Sequence, residues 1–350
     1  MPRRYLIGVS ALLVLNVAIP AQSSEEVNQT VDPAVRDYLS ANGFLNRGLH
    51  DLAAAEYREF LAQHQDHEKA PIARYGLAVS LYHLQKFDEA ASELTSLQKV
   101  TEFEFAAEVR TILGQCYLGL RRYGPAAEAF QHVAEGYRDH DLADDAAAGR
   151  AEALYLAGQY DLAVSQCRAF QSQWPRSPLG ERTQFFWGLA KMAQHAYGEA
   201  ADRFAGLLEG FPKGAFAEQA SLLLAQCHHH NNALERAARQ YRKVIKQAKS
   251  RYVPDALHGL ATLLQQQGKP ARAGTYLDRL LKEHPETPLA AKAQLQRGQT
   301  WFAQERFDEA FELFERVAGQ DGALADDAAY WMAKCELRRG QFADSARRLE

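Results

Sequence analysis

The chain has 350 residues, 47% of them apolar and 24% charged, with a net charge of −4 at pH 7. That length holds one large core or two ordinary domains, its slight acidity excludes a generally basic nucleic-acid binder, and a mean hydropathy of −0.39 excludes a polytopic membrane protein. Sixty alanines against 23 glycines and 12 prolines favour helix throughout, and four cysteines are too few for a disulfide scaffold.

Arg3 and Arg4 precede an uncharged apolar run from Tyr5 to Ala21, which ends at the polar stretch Gln22-Ser23-Ser24-Glu25-Glu26. A basic start, a short apolar core and small residues at Ala18 and Ala21 describe a secretory signal peptide over residues 1–21. The run is short for a bilayer span, which takes about 20 apolar residues; an uncleaved amino-terminal anchor is the rival reading. No cysteine follows it, so lipoprotein processing is not expected, and the paired arginines fit a twin-arginine signal poorly. Cleavage would remove two arginines and leave a net charge of −6. The expected compartment is a bacterial periplasm. Residues 22–33 read as a short linker.

From residue 34 to residue 350 one spacing recurs. His50, Phe87, Tyr123, Tyr160, Tyr197, Leu234, Pro270, Phe307 and Phe342 stand 35 to 37 residues apart. Three residues after each mark comes alanine, from Ala53 to Ala310, and finally Ser345. Nine residues before each mark comes alanine or glycine, from Ala41 through Gly114, Gly188 and Gly298 to Ala333. Two unbroken small-residue columns at one period predict paired helices whose backbones approach closely, with larger residues filling around them. Seven residues after the mark stand Tyr57, Leu94, Phe130, Cys167, Phe204, Tyr241, Leu277, Phe314 and Leu349, on the face of the small residue four positions earlier.

The breaks are periodic too. Gly48, Gly158, Gly268 and Gly340 lie two residues before the mark, where a first helix ends in the left-handed conformation. Asp51, Asp88, Asp161 and Asp308 lie one residue after it and suit capping of the second helix. Pro175, Pro212 and Pro285 fall fifteen residues after it and close that helix. Each unit therefore reads as helix, tight turn, helix, longer turn, with units beginning near residues 34, 71, 107, 144, 181, 218, 254, 291 and 326. The last is incomplete, its second helix starting near Phe342, and continuation of the natural polypeptide is expected.

Small, aromatic, alanine, aromatic and proline at these offsets resemble the tetratricopeptide repeat, whose unit is about 34 residues. The resemblance covers residues 34–350 and implies an all-α, right-handed superhelical solenoid of about nine helix-turn-helix repeats. The stretched period and the phrase Trp174-Pro175-Arg176-Ser177-Pro178-Leu179 look most like bacterial envelope members, namely the Tol-Pal-associated cell-division coordinator and the barrel-assembly lipoprotein. Pro270 departs from the pattern as a mark, and His228-His229-His230-Asn231-Asn232 is an unusual turn in the sixth unit. In such families the first helices line a concave groove. The positions twelve before the mark carry Tyr38, Tyr75, Phe185, His258 and Tyr330, and those five before it carry Tyr82, Tyr155, Met192, His229 and Phe302. An aromatic and methionine stripe of this kind grips a peptide through apolar area, although the same residues also suit packing between helices. Asn42 matches one position of the clamp by which cytosolic relatives hold chaperone carboxy-termini, but Tyr38 stands where its lysine belongs, which argues against that ligand class.

No Walker loop, dinucleotide fingerprint, HExxH motif, nucleophile elbow or paired CxxC is present, so no catalytic residue and no cofactor are assigned. Cys116, Cys227 and Cys335 share one position in units three, six and nine, too far apart for disulfides, and with Cys167 they read as buried thiols. The three consecutive histidines point about 100° apart on a helix and suit its carboxy-terminal dipole better than a shared zinc or nickel ion, so no metal is assigned. Asn28-Gln29-Thr30 is a sequon without meaning in a bacterial export context. Asp144-Asp145 and Asp326-Asp327, with Asp139, Asp141 and Asp321 nearby, place carboxylates in first helical turns, where the dipole accounts for them; cation or basic-peptide binding is the sharper alternative. The expectation is a non-enzymatic exported scaffold that binds a protein or peptide in envelope assembly or division, brought near the membrane through envelope partners and binding no nucleic acid. The alternative is a targeting arm of a longer chain whose catalytic or other domain lies beyond residue 350.

Overall fold

A computed structural model describes residues 32–319 and 323–349. The expected signal segment, the sequon and Asp321 lie outside the described residues. Those described form eighteen α-helices and no strand, in two compact units that divide between Gln159 and Tyr160. The first unit contains α1 (Pro33–Asn46), α2 (His50–Gln63), α3 (Ala70–His83), α4 (Phe87–Leu97), α5 (Ala106–Gly119), α6 (Tyr123–Gly136) and α7 (Ala143–Leu156). The second contains α8 (Tyr160–Gln173), α9 (Gly180–Ala193), α10 (Tyr197–Gly210), α11 (Ala217–His230), α12 (Leu234–Ile245) and α13 (Val253–Gln266). It continues with α14 (Pro270–Glu283), α15 (Ala290–Phe302), α16 (Phe307–Ala318), α17 (Ala325–Arg338) and α18 (Phe342–Leu349). Within each unit every helix packs on its neighbours in sequence, the arrangement of a helical-hairpin solenoid.

Each periodic mark is the first residue of a second helix. The residue two before it is left-handed in all nine turns: the four glycines, with φ between 68 and 79°, and also Gln85, Arg121, His195, Asn232 and Glu305. In every one of these turns an N–H reaches back five residues, as from Leu49 to the Phe44 carbonyl at 3.0 Å and from Gln341 to the Glu336 carbonyl at 2.9 Å. This closes the helix end with a Schellman bond, and the geometry is enforced even where the side chain opposes it. The aspartates after the mark do not cap. Leu49, Lys86 and Arg306 hold the N-cap positions without a side-chain bond, and Asp51, Asp88 and Asp308 sit inside the first turn, where they favour the helix dipole; Asp88 also pairs with Arg122 at 3.1 Å and Asp308 with Arg339 at 2.8 Å. Pro175, Pro212 and Pro285 do follow the ends of α8, α10 and α14.

The core follows the small columns, which are buried in all nine copies. In the first eight units the side chain seven after the mark fills the space they leave, whereas Leu349 in the ninth is 59% exposed, and glycine appears where that side chain is aromatic. A Cβ on Gly114 or Gly149 would stand 2.8 Å from the Phe130 ring, one on Gly188 2.6 Å from Phe204, and one on Gly298 2.5 Å from Phe314. Gly76 faces Tyr57 and Gly259 faces Tyr241 in the same way. The longer turns are held by a side chain that accepts the N–H two residues on, as His67 Nδ1 does from Lys69 at 3.1 Å, His140 Nδ1 from Leu142 at 3.2 Å and Ser177 Oγ from Leu179 at 3.1 Å. Gly214 has no side chain to do this, and the Glu181 carboxylate accepts from Ala215 and Phe216 instead, at 3.2 and 2.7 Å.

Candidate functional site

Successive first helices touch one another directly, as α1 with α3, α3 with α5 and α5 with α7 in the first unit, and α11 with α13 and α15 with α17 in the second. Among the described residues no two second helices meet to that extent. The first helices therefore form the crowded side of each stack, and their surface is the candidate binding face.

The two offsets singled out in the sequence separate on this face. Of the earlier one, Tyr38, Tyr75 and Phe185 are core residues, and no ligand reaches them. Tyr75 is 0% exposed, stacked on Phe105 with ring centres 5.2 Å apart, and Phe185 is 2% exposed, stacked on Phe216 at 4.4 Å. Phe105 and Phe216 are the caps of the following first helices, so the turn into the next repeat covers the residue below it. Tyr38 lies against Tyr57 and Phe60. Asn42 is buried as well and accepts a hydrogen bond from the Tyr57 hydroxyl at 3.2 Å. His258 is half-buried, and burial, then the Lys292 charge, lowers its pKa to about 4, so its ring is neutral near pH 7. Only Tyr330 of this offset is open, at 51% exposure.

The later offset is half-buried wherever it was singled out: Tyr82 and Tyr155 in the first unit, Met192, His229 and Phe302 in the second. Leu118 and Gln265 continue the two rows with the same exposure. Sequence reasoning missed a parallel row eight before the mark, half-buried at Gln115 and Glu152 in the first unit and at Gln226, Thr262, Gln299 and Lys334 in the second. A search for aromatic residues passes over these polar side chains, although their shared register is readable. Several of these side chains are held in place: the Gln296 amide donates to Gln265 Oε1 at 2.6 Å and to Thr262 Oγ1 at 3.0 Å, and His229 Nε2 lies 2.7 Å from Gln266 Oε1. The Lys334 ammonium sits 4.1 Å from the Trp331 ring centre, 5.3 Å from that of Tyr330 and 5.5 Å from that of Phe302. A half-exposed, mainly apolar row beside a polar row of amide, carboxylate, hydroxyl and ammonium side chains offers area for side chains and donors and acceptors for a backbone.

The three histidines at the end of α11 diverge. His229 turns to Gln266, His230 stacks on Tyr197 at 4.7 Å, and His228 faces Arg236, Arg239 and Asp202. Among the described residues no three histidine, cysteine or acidic side chains converge as metal ligands. The four cysteines are buried free thiols; burial pushes Cys116, Cys167 and Cys227 up to about 12 and Cys335 to about 11.

A family model described as tetratricopeptide repeat matches residues 38–99, 187–252 and 258–324, more than half of the chain. A search of curated proteins gives no match. Among solved structures, the C-terminal part of a TPR repeat-containing protein from Cytophaga hutchinsonii aligns over 73% of this chain and 98% of its own, with a TM-score of 0.59 and 16% identity. The apo form of RapI aligns over 91% of this chain and 95% of its own, with a TM-score of 0.59 and 11% identity. At these identities the likeness is one of fold.

Proposed function

Since the chain belongs to the tetratricopeptide repeat family, whose stacked hairpins serve in general as protein-binding scaffolds, we propose that it is a non-enzymatic scaffold that holds a protein or peptide segment on its first helices. The half-buried row Tyr82, Leu118 and Tyr155, with its second-unit counterpart Met192, His229, Gln265 and Phe302, carries this reading. Affinity comes from covering that apolar area, and direction along the segment from the flanking amides and charges. The site is non-catalytic in this reading because the row sets amides beside apolar side chains and brings no nucleophile to a base.

The cellular setting belongs to the same proposal: an exported protein of the bacterial envelope, acting in assembly or division. It is supported by the basic and apolar start of the sequence and by the envelope-like repeat period. Amino-terminal sequencing of the protein from a periplasmic fraction should begin near Gln22; an intact Met1 in the cytosolic fraction would reject the export reading. Photo-crosslinkers at Tyr155 and Met192 should trap one discrete partner that a crosslinker at exposed Leu162 on α8 does not. The same products from all three positions would reject the first-helix face as the binding site.

A further inference from the structure

One stretch of this acidic chain is strongly basic. Between Leu234 and Tyr252 lie seven arginines and lysines and a single acid, Glu235. Arg236, Arg239, Arg242, Lys243, Lys246 and Lys249 are all exposed. None of these six forms a salt bridge with a carboxylate, whereas Lys191, Arg279, Arg297, Arg306 and Arg339 in the same unit each have one. At about 100° per residue, Arg236, Arg239, Arg242, Lys243 and Lys246 fall within an arc of about 120° on α12 and its cap. Like charges three and four apart weaken a helix, so this face works against the stability of the element that bears it. The potential is felt nearby: Arg236 and Arg239 add to burial in lowering the pKa of His228.

From the outward face of α12 we infer a docking surface for an anionic phospholipid bilayer, with lipid phosphates taking the place of the missing carboxylates. Three observations favour a bilayer over an acidic peptide. No large apolar side chain is exposed between Leu234 and Tyr252, so an incoming peptide finds no apolar anchor there. The cations line a ridge on the outside of a second helix, which meets a flat charged sheet without a groove. At the end of the ridge opens a cleft of about 500 Å³ lined by Lys213, Gln247, Lys249 and Ser250, room for a headgroup; the one carboxylate lining it, Glu218, accepts from the Ser250 hydroxyl at 2.9 Å. Long basic side chains reach a headgroup layer while their helix stays outside it.

The test is flotation of the full chain with vesicles of phosphatidylcholine alone or with one third phosphatidylglycerol. The readout is the difference between the two, compared among variants that share Arg3, Arg4 and the apolar run Tyr5–Ala21, so that insertion of that segment cancels. Binding to the anionic vesicles should exceed binding to the neutral ones and fall steeply with added salt. R239Q/K243Q/K246Q should weaken the anionic preference by about a hundredfold, from the usual contribution of three basic side chains at such a surface. K86Q/K99Q/R121Q, an equal loss of exposed charge from turns of the first unit, should change it less than about threefold, and glutamine keeps the helix propensity of α12. Equal partition onto both vesicles would overturn the inference, as would equal losses in the two triple variants. Binding of polyglutamate or single-stranded DNA through the same three residues, with no preference for anionic vesicles, would overturn it in favour of a macromolecular polyanion.

Discussion

Phe130 allows the packing argument to be tested by a double-mutant cycle. Its ring is 1% exposed and lies between α5 and α7, with Gly114 on one side and Gly149 on the other. A methyl at Gly149 would stand 2.8 Å from the ring, inside the contact distance of about 3.5 Å between carbons. In an open helix interior Gly→Ala gains about 0.5–1 kcal/mol. Overpacking here costs about 1–3 kcal/mol, so Gly149→Ala should lower stability by roughly 1 kcal/mol, the reverse of the helix-propensity sign. Phe130→Leu alone leaves a void and should cost about 1–2 kcal/mol. The double variant moves the site towards the arrangement at Leu94, where a smaller side chain faces Ala78 and Ile112, both with a Cβ. Its loss should therefore fall short of the sum of the single losses by about 1 kcal/mol or more. Urea unfolding followed by far-ultraviolet circular dichroism measures all three. Additivity within about 0.5 kcal/mol, or a stabilising Gly149→Ala, would refute size matching as the reason for the glycines.

The left-handed turns predict opposite signs for exchanges in opposite directions: His195→Gly should raise stability by about 1 kcal/mol, and Gly268→Ala should lower it by about 1–2 kcal/mol, both read from unfolding midpoints. Arg297 is buried and its guanidinium makes paired bonds to Asp278 at 2.7 and 2.9 Å, so Arg297→Ala should cost about 2–4 kcal/mol, whereas an exposed arginine such as Arg236 should cost almost nothing. His258 has its pKa lowered from 6.5 to about 4, so the unfolded chain binds the proton more readily. Its stabilising share is complete above about pH 6.5 and is lost as pH falls towards 4, and His258→Gln should flatten that acid-side slope. His50, His83 and His228 are lowered too and act in the same direction. The four thiols, held protonated by burial, should resist a thiol reagent at pH 8 in the native protein and react together on unfolding; rapid native labelling would contradict their burial.

The sequence by itself determined the repeat and its punctuation. Alanine and glycine at two fixed offsets can only mean close helices, because larger side chains would hold the backbones apart, and glycines such as Gly48 and Gly158 mark left-handed turns by local preference. Tertiary structure alone decided what the turns and faces became. Gln85, Arg121, His195 and Glu305 adopt the same left-handed backbone without the freedom of glycine or the tolerance of Asn232, because packing on both sides fixes the turn. Asp51, Asp88, Asp161 and Asp308 suit capping in sequence, yet the hairpins start their second helices two residues before such caps would, with Leu49, Lys86 and Arg306 at three of the N-cap positions. Tyr75 and Phe185 look like Tyr82 and Met192 in sequence, but Phe105 and Phe216, some thirty residues downstream, fold over the first pair and leave the second open. Burial depends on contacts between residues distant in sequence, and periodicity records which residues share a helix face but not which of them the next repeat will cover.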